Sequence, residues 1–244
     1  MRTATIKRNA NIKTLCIYVA VVVALIFMKG IDPNNSLIEL LGGISNTHGG
    51  YGVNIFEIIC WNVSVLPPIS VSILFMMDEL GVLSVYTIIR SKNIRYWWQT
   101  RFISVVAVNL LYLVVAVLIM SIIGSAHLGE SLYKLVLLFS LHIITMSAIL
   151  ITVLVTTQSV HIVVLVFAAI EIFGVVAGSL FPIIGKYTIA FWGMAKNNNY
   201  LLLNEHTHIL IVSMAMLIIT VCCYTISAAY LHKNNPVGNY RLKT

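Results

Sequence analysis

Long unbroken apolar stretches alternate with short polar ones along this chain. Six of the apolar stretches approach the roughly 20 residues that an α-helix needs to cross about 30 Å of hydrocarbon. They run over about residues 12–28, 53–77, 102–124, 132–155, 162–180 and 209–231. Within them Leu, Ile and Val follow one another without the polar alternation of a membrane β-strand, so the spacing predicts helices. The expected fold class is all-α: one polytopic membrane domain over residues 1–244, with six transmembrane helices and both termini in the cytoplasm. The first stretch is the shortest, and Pro67-Pro68 is expected to break the second by removing backbone donors.

Composition supports a lipid-facing exterior. Of 244 residues 59% are hydrophobic and 9% charged, with a mean hydropathy of +0.96. A soluble domain carries about 25% charged residues, too many for this chain to supply. Orientation follows from the basic residues of the connections. With the N-terminus inside, the cytoplasmic side receives Arg2, Lys7, Arg8, Lys13, Arg90, Lys92, Arg95, Arg101, Lys233, Arg241 and Lys243. The outer side receives Lys29, Lys134, Lys186 and Lys196. The net charge of +7 therefore gathers at span ends, where anionic lipid attracts it, and does not point to nucleic acid. The basic N-terminal segment and its apolar run have the outline of a signal peptide, but Met28-Lys29-Gly30-Ile31 lacks a small-residue cleavage pattern, so an uncleaved first helix is expected.

The outer connections are uneven. Residues 30–52 are rich in turn signals, while 181–207 contain Phe181, Tyr187, Phe191 and Trp192 and are expected to form short helices dipping into the outer leaflet. Connections 125–131 and 156–161 are tight, making the third, fourth and fifth spans an antiparallel series. The apolar spans leave no room for a soluble catalytic domain. Walker, intramembrane serine-protease and paired-Glu protease frames are not found. No catalytic site, metal or cofactor is expected in this chain. Cys16, Cys60, Cys222 and Cys223 lie in apolar spans without zinc or disulfide spacing. His206 and His208 beside Glu205 form only a weak metal motif, and His142 and His161 are too far apart to clamp one haem.

Two features carry candidate function. Glu171 sits near the centre of the fifth span, where a carboxylate costs at least a few kcal/mol and marks a functional site by default. It either faces a substrate path or packs protonated inside the bundle. Glu57, near the outer end of the second span, is a weaker version, and Pro67 and Pro68 could open a lined cavity or merely kink the helix. The second feature lies between the second and third spans. Asp78-Glu79 is followed by Leu80, Leu83, Tyr86 or Thr87, Arg90 and Ile94 at helical spacing, then by Arg95, Tyr96, Trp97, Trp98 and Arg101, predicting a short surface helix.

That order of elements resembles the ABC-2-type (type V exporter) permeases, whose acidic residue and glycine after the second helix are followed by a surface helix, a basic residue, an aromatic and a further base. Glu79, Gly81, Arg95, Trp98 and Arg101 stand in those places, with Asp78 and Arg90 beside them. The chain lacks the Thr that often follows the glycine and the Pro common before the base. The resemblance implies that Asp78, Glu79, Gly81, Arg90, Arg95, Trp98 and Arg101 couple to a separate ABC ATPase subunit, present in two copies and holding ATP and Mg2+. It further implies a second permease copy or a sister permease, and a location in the bacterial cytoplasmic membrane. The cargo it suggests is a hydrophobic or amphipathic peptide, such as a bacteriocin in export or self-immunity. The competing expectation is a membrane carrier without an ATPase, or a structural or sensing subunit.

Overall fold

A computed structural model describes residues 55–80, 94–123, 130–181, 185, 187–194 and 205–233, with isolated positions 20 and 43. These residues are helical and contain no strand. The helices are α1 (Ile55–Leu80), α2 (Ile94–Ile123), α3 (Glu130–Thr157), α4 (Val160–Phe167), a π-helical segment (Ala168–Phe173), α5 (Gly174–Leu180), α6 (Ile189–Trp192) and α7 (Glu205–Lys233). α4, the π-segment and α5 form one continuous rod. Five helical rods are long and apolar enough to cross a bilayer. The expected first span, 12–28, and most of the expected surface helix, with Gly81 and Arg90, lie outside the described residues.

Two expectations change. The third span starts at Ile94, so Arg95, Trp97, Trp98 and Arg101 belong to the membrane helix rather than to a connection. And Pro67-Pro68 does not break α1, which is helical from Ile55 to Leu80. Each proline deprives a carbonyl one turn earlier of its donor. Neighbouring helices hold α1 in line, and nearby hydroxyls supply polar contacts: Ser64 Oγ donates to the Cys60 carbonyl at 2.8 Å, and Ser72 Oγ lies 2.9 Å from the Pro68 carbonyl. Pro68 is buried and Pro67 half-buried.

α3 is the centre of the bundle and touches α1, α2, α4, α6 and α7. Its inward face buries Leu135, Phe139, Ile143, Met146, Leu150 and Ile151 against Trp61, Ile69 and Met76 of α1 and Val105 and Leu113 of α2. Lipid is as apolar as leucine, so burial alone holds membrane helices together weakly, and interhelical hydrogen bonds contribute. Along α3 and α7 these come in steps of seven residues. Thr145 and Thr220 hydroxyls lie 3.1 Å apart, and Thr152 and Ser227 hydroxyls 2.8 Å apart. Another chain crosses three helices: Ser72 of α1 contacts Asn109 Oδ1 of α2 at 2.9 Å, and Asn109 Nδ2 donates to Ser147 Oγ of α3 at 3.0 Å.

The α3–α4 turn is closed by Gln158, whose φ of +54° places it in the left-handed region; its N–H donates to the Leu154 carbonyl at 2.8 Å. Outside the core, Leu110, Val114, Leu165, Phe173, Met214 and Ile218 are exposed, as an exterior solvated by acyl chains requires.

Candidate functional site

The bundle has two polar places of interest, at different depths. The deeper one is built on Glu171. An α-helix advances 100° per residue, but the π-segment winds wider, and such segments recur at functional sites. Glu171 lies within it and is fully buried. Its carboxyl oxygens have separate partners on separate helices. Trp61 Nε1 of α1 donates to Oε2 at 3.0 Å, and His142 Nε2 of α3 stands 2.7 Å from Oε1. That second distance is short, but the two atoms do not form an aligned hydrogen bond, so the contact is a close approach of the two groups. The Trp61 ring also packs on His142, with centroids 5.4 Å apart, and edge-on to Phe139 at 5.6 Å.

The third side is closed by a segment that turns back into the bundle. α6 follows α5 after a short connection, and Ala190, Phe191, Gly193 and Met194 are all buried. Gly193 faces the imidazole so closely that a Cβ there would stand 2.6 Å from His142 Cβ and 2.8 Å from Nδ1. His142 lies nine residues into the span Tyr133–Thr157, roughly 14 Å along the helix at 1.5 Å per residue. That depth is near the middle of about 30 Å of hydrocarbon. The segment is therefore re-entrant, tolerated because protein surrounds it. Phe191 anchors it against Gly178 of α5, where a Cβ would come within 2.8 Å of Cδ2.

Chemically the cluster is a carboxyl and an imidazole sharing one sealed environment, in which an uncompensated charge on either would be costly. Nδ1 of His142 has no hydrogen-bond partner among the described residues, an omission that costs about 1–3 kcal/mol for a buried polar atom.

The second place is at the opposite end of the bundle, where α1 ends and α2 begins. Arg101 Nε lies 3.1 Å from Glu79 Oε2, an ion pair with the arginine side chain 30% exposed and the glutamate 11%. Asp78 and Arg95 are exposed on the same end, whereas Trp98 is buried, its Nε1 donating to the Tyr224 carbonyl of α7 at 3.4 Å. Trp97, Trp98, Phe102 and Tyr224 form a ring cluster with neighbouring centroids 5.2–6.4 Å apart. Of the residues expected to couple to an ATPase, Glu79 and Arg101 thus meet each other, Asp78 and Arg95 are exposed at the same end, and Trp98 fastens α2 to α7.

Of the speculative path residues, Glu171 is brought into a built cluster. Glu57 is half-buried one turn before Trp61 on α1, and Pro67 and Pro68 lie farther along that helix. Sequence reasoning missed the role of His142 and Trp61. A histidine inside an otherwise apolar fourth span was the available signal, as polar as the glutamate in the fifth. Among the described residues no three His, Cys, Asp or Glu side chains come together as a metal set. Comparison with protein-family models, with curated proteins and with solved structures found no match to this chain.

Proposed function

We propose that this chain is the membrane-embedded permease subunit of an ATP-driven exporter of the kind its sequence resembles, the ABC-2-type permeases. The observation that carries the reading is the Glu79–Arg101 ion pair. It links the end of α1 to the beginning of α2, the two helix ends that flank residues 81–93, which this reading takes as the ATPase-facing connection. Exposed Asp78 and Arg95 present charges of both signs beside it, suited to the polar cleft of a docked protein. The buried aromatic cluster joins α2 to α7.

In this reading two copies of a separate ATPase, holding ATP and Mg2+, dock on these connections in a pair of permeases. The pair is two copies of this chain or this chain with a sister permease. ATP binding favours one conformation of the pair over the other by its differential affinity for the two states, and the cargo, a hydrophobic or amphipathic peptide, leaves the bacterial cytoplasmic membrane through the groove between them. The test is affinity isolation of the tagged chain from native membranes, followed by hydrolysis assays. An ATPase is expected to co-purify, and Glu79→Arg is expected to abolish its stimulation while Glu79→Arg with Arg101→Glu restores part of it. Absence of an ATPase, or hydrolysis indifferent to Glu79→Arg, refutes the proposal.

The carboxyl–imidazole pair inside the bundle favours a second reading, a carrier that works without an ATPase. Purified chain that moves cargo across vesicles in the absence of ATP decides for it.

A further inference from the structure

We propose that His142 and Glu171 form an intramembrane proton-binding site, loaded with one proton and insulated from water by the re-entrant segment Thr188–Met194. The proposal does not depend on an ATPase. Three observations meet in it. First, Trp61 Nε1 is a donor only, and its contact with Oε2 makes that oxygen an acceptor. The remaining oxygen, Oε1, faces His142 Nε2 at 2.7 Å with both side chains sealed. Whether the pair is imidazolium with carboxylate or imidazole with carboxylic acid, the pair as a whole is neutral with one ionisable proton shared out to one of its two members. Gaining a second proton or losing the first leaves a net charge in a low-dielectric interior.

Second, the neighbour that closes on Nδ1 is Gly193, which brings no polar side chain, and among the described residues Nδ1 is left without a partner. A water admitted at Gly193 would satisfy that atom at once, so withdrawal of the segment is the step that hydrates the imidazole and lets the proton exchange. Third, the seat of the segment is a close fit: Gly193 on His142 and Phe191 on Gly178 leave no space for a methyl group at either glycine. The elements around the pair carry other titratable groups, including buried Cys60 next to Trp61 on α1. α1 carries Glu57 one turn before Trp61, α6 carries none, and α7 carries His208 at its beginning. Elsewhere on α3, Tyr133 and Lys134 lie more than two turns away along the helix, and Tyr187 lies just before the segment.

The experiment uses the full chain in lipid nanodiscs with 15N-labelled histidine, His142 being assigned by its loss in His142→Gln. Exposed His232 serves as the internal reference. The expected result is either an imidazolium pattern at His142 or a carboxylic-acid infrared band that disappears in Glu171→Gln. Whichever is found stays constant over the buffer range in which an ordinary imidazole changes charge, about pH 5 to 8. Gly193→Ala is expected to make the His142 signal follow the buffer. Phe191→Ala, which loosens the seat without loading the imidazole, is expected to do the same. Absence of both proton signatures, or a wild-type His142 signal that follows the buffer over that range, overturns the proton site. Insulation that survives both segment variants overturns the sealing role.

Discussion

Removing either half of the Glu171–His142 pair should be worse than removing both. In His142→Leu, Glu171 keeps Trp61 as its one donor and loses its counter-group; breaking a buried pair costs about 3–5 kcal/mol, and the low end applies because the carboxyl can take up a proton. In Glu171→Leu, both the Trp61 N–H and the imidazole lose their partner, and at about 1–3 kcal/mol for each unpaired group the loss is again about 3 kcal/mol. The double variant leaves one orphan, the Trp61 N–H, among side chains of similar bulk, so about 2 kcal/mol is expected. The protein carrying His142→Leu and Glu171→Leu together would then be more stable than either single variant, with a coupling of about 4 kcal/mol, above the 0.5–3 kcal/mol usual for contacting residues. The assay is reversible unfolding of the four proteins in bicelles under increasing dodecyl sulfate. A double variant destabilised by the full total of the singles, or a single variant within about 0.5 kcal/mol of wild type, would show that the 2.7 Å contact does not hold the two groups as a unit.

Other consequences can be checked in the same preparation. Thr152→Val and Ser227→Ala remove one rung between α3 and α7, and each should cost about 0.6 kcal/mol and at most about 1.7 kcal/mol, with the double variant no worse than either. Trp98→Ala opens a cavity among Trp97, Phe102 and Tyr224 and should cost about 3–5 kcal/mol, read as a fall in melting temperature and a loss of α2–α7 crosslinking. Glu79→Gln should change stability by less than about 1 kcal/mol, since the pair is partly exposed, while uncoupling partner-stimulated ATP hydrolysis. Gly178→Ala forces the Phe191 ring aside and should cost about 1–3 kcal/mol, measured as a lower melting temperature and faster hydrogen exchange over 188–194.

The membrane class and most of the helices are written locally. An unbroken run such as 132–155 has no alternative inside a bilayer, because its backbone groups must bond within the segment. Boundaries were less legible. Arg95 and Arg101 suggested a loop, yet both sit on helix α2, because long basic side chains reach the interface while their backbone stays helical. Pro67-Pro68 was a poor guide for a related reason. Local propensity registers the missing donors, but the packed neighbours decide whether the helix survives. The candidate site was half visible. Glu171 announced itself as a carboxylate amid apolar residues, but its partners come from positions 110 and 29 residues earlier, and no spacing rule links Trp61 or His142 to it. The re-entrant segment had only its aromatics to mark it, and Gly193 gains its meaning from an imidazole on another helix.

One helix, α3, is enclosed by five neighbours and laced to α7 by two hydroxyl rungs, whereas the rod of α4, the π-segment and α5 buries far less of its apolar surface among the helices. Any rearrangement among the described helices then has an axle and a rim. The axle cannot turn without shearing several bonded seams together, so displacement belongs to the rim, and a probe fixed to α3 would register almost none of it.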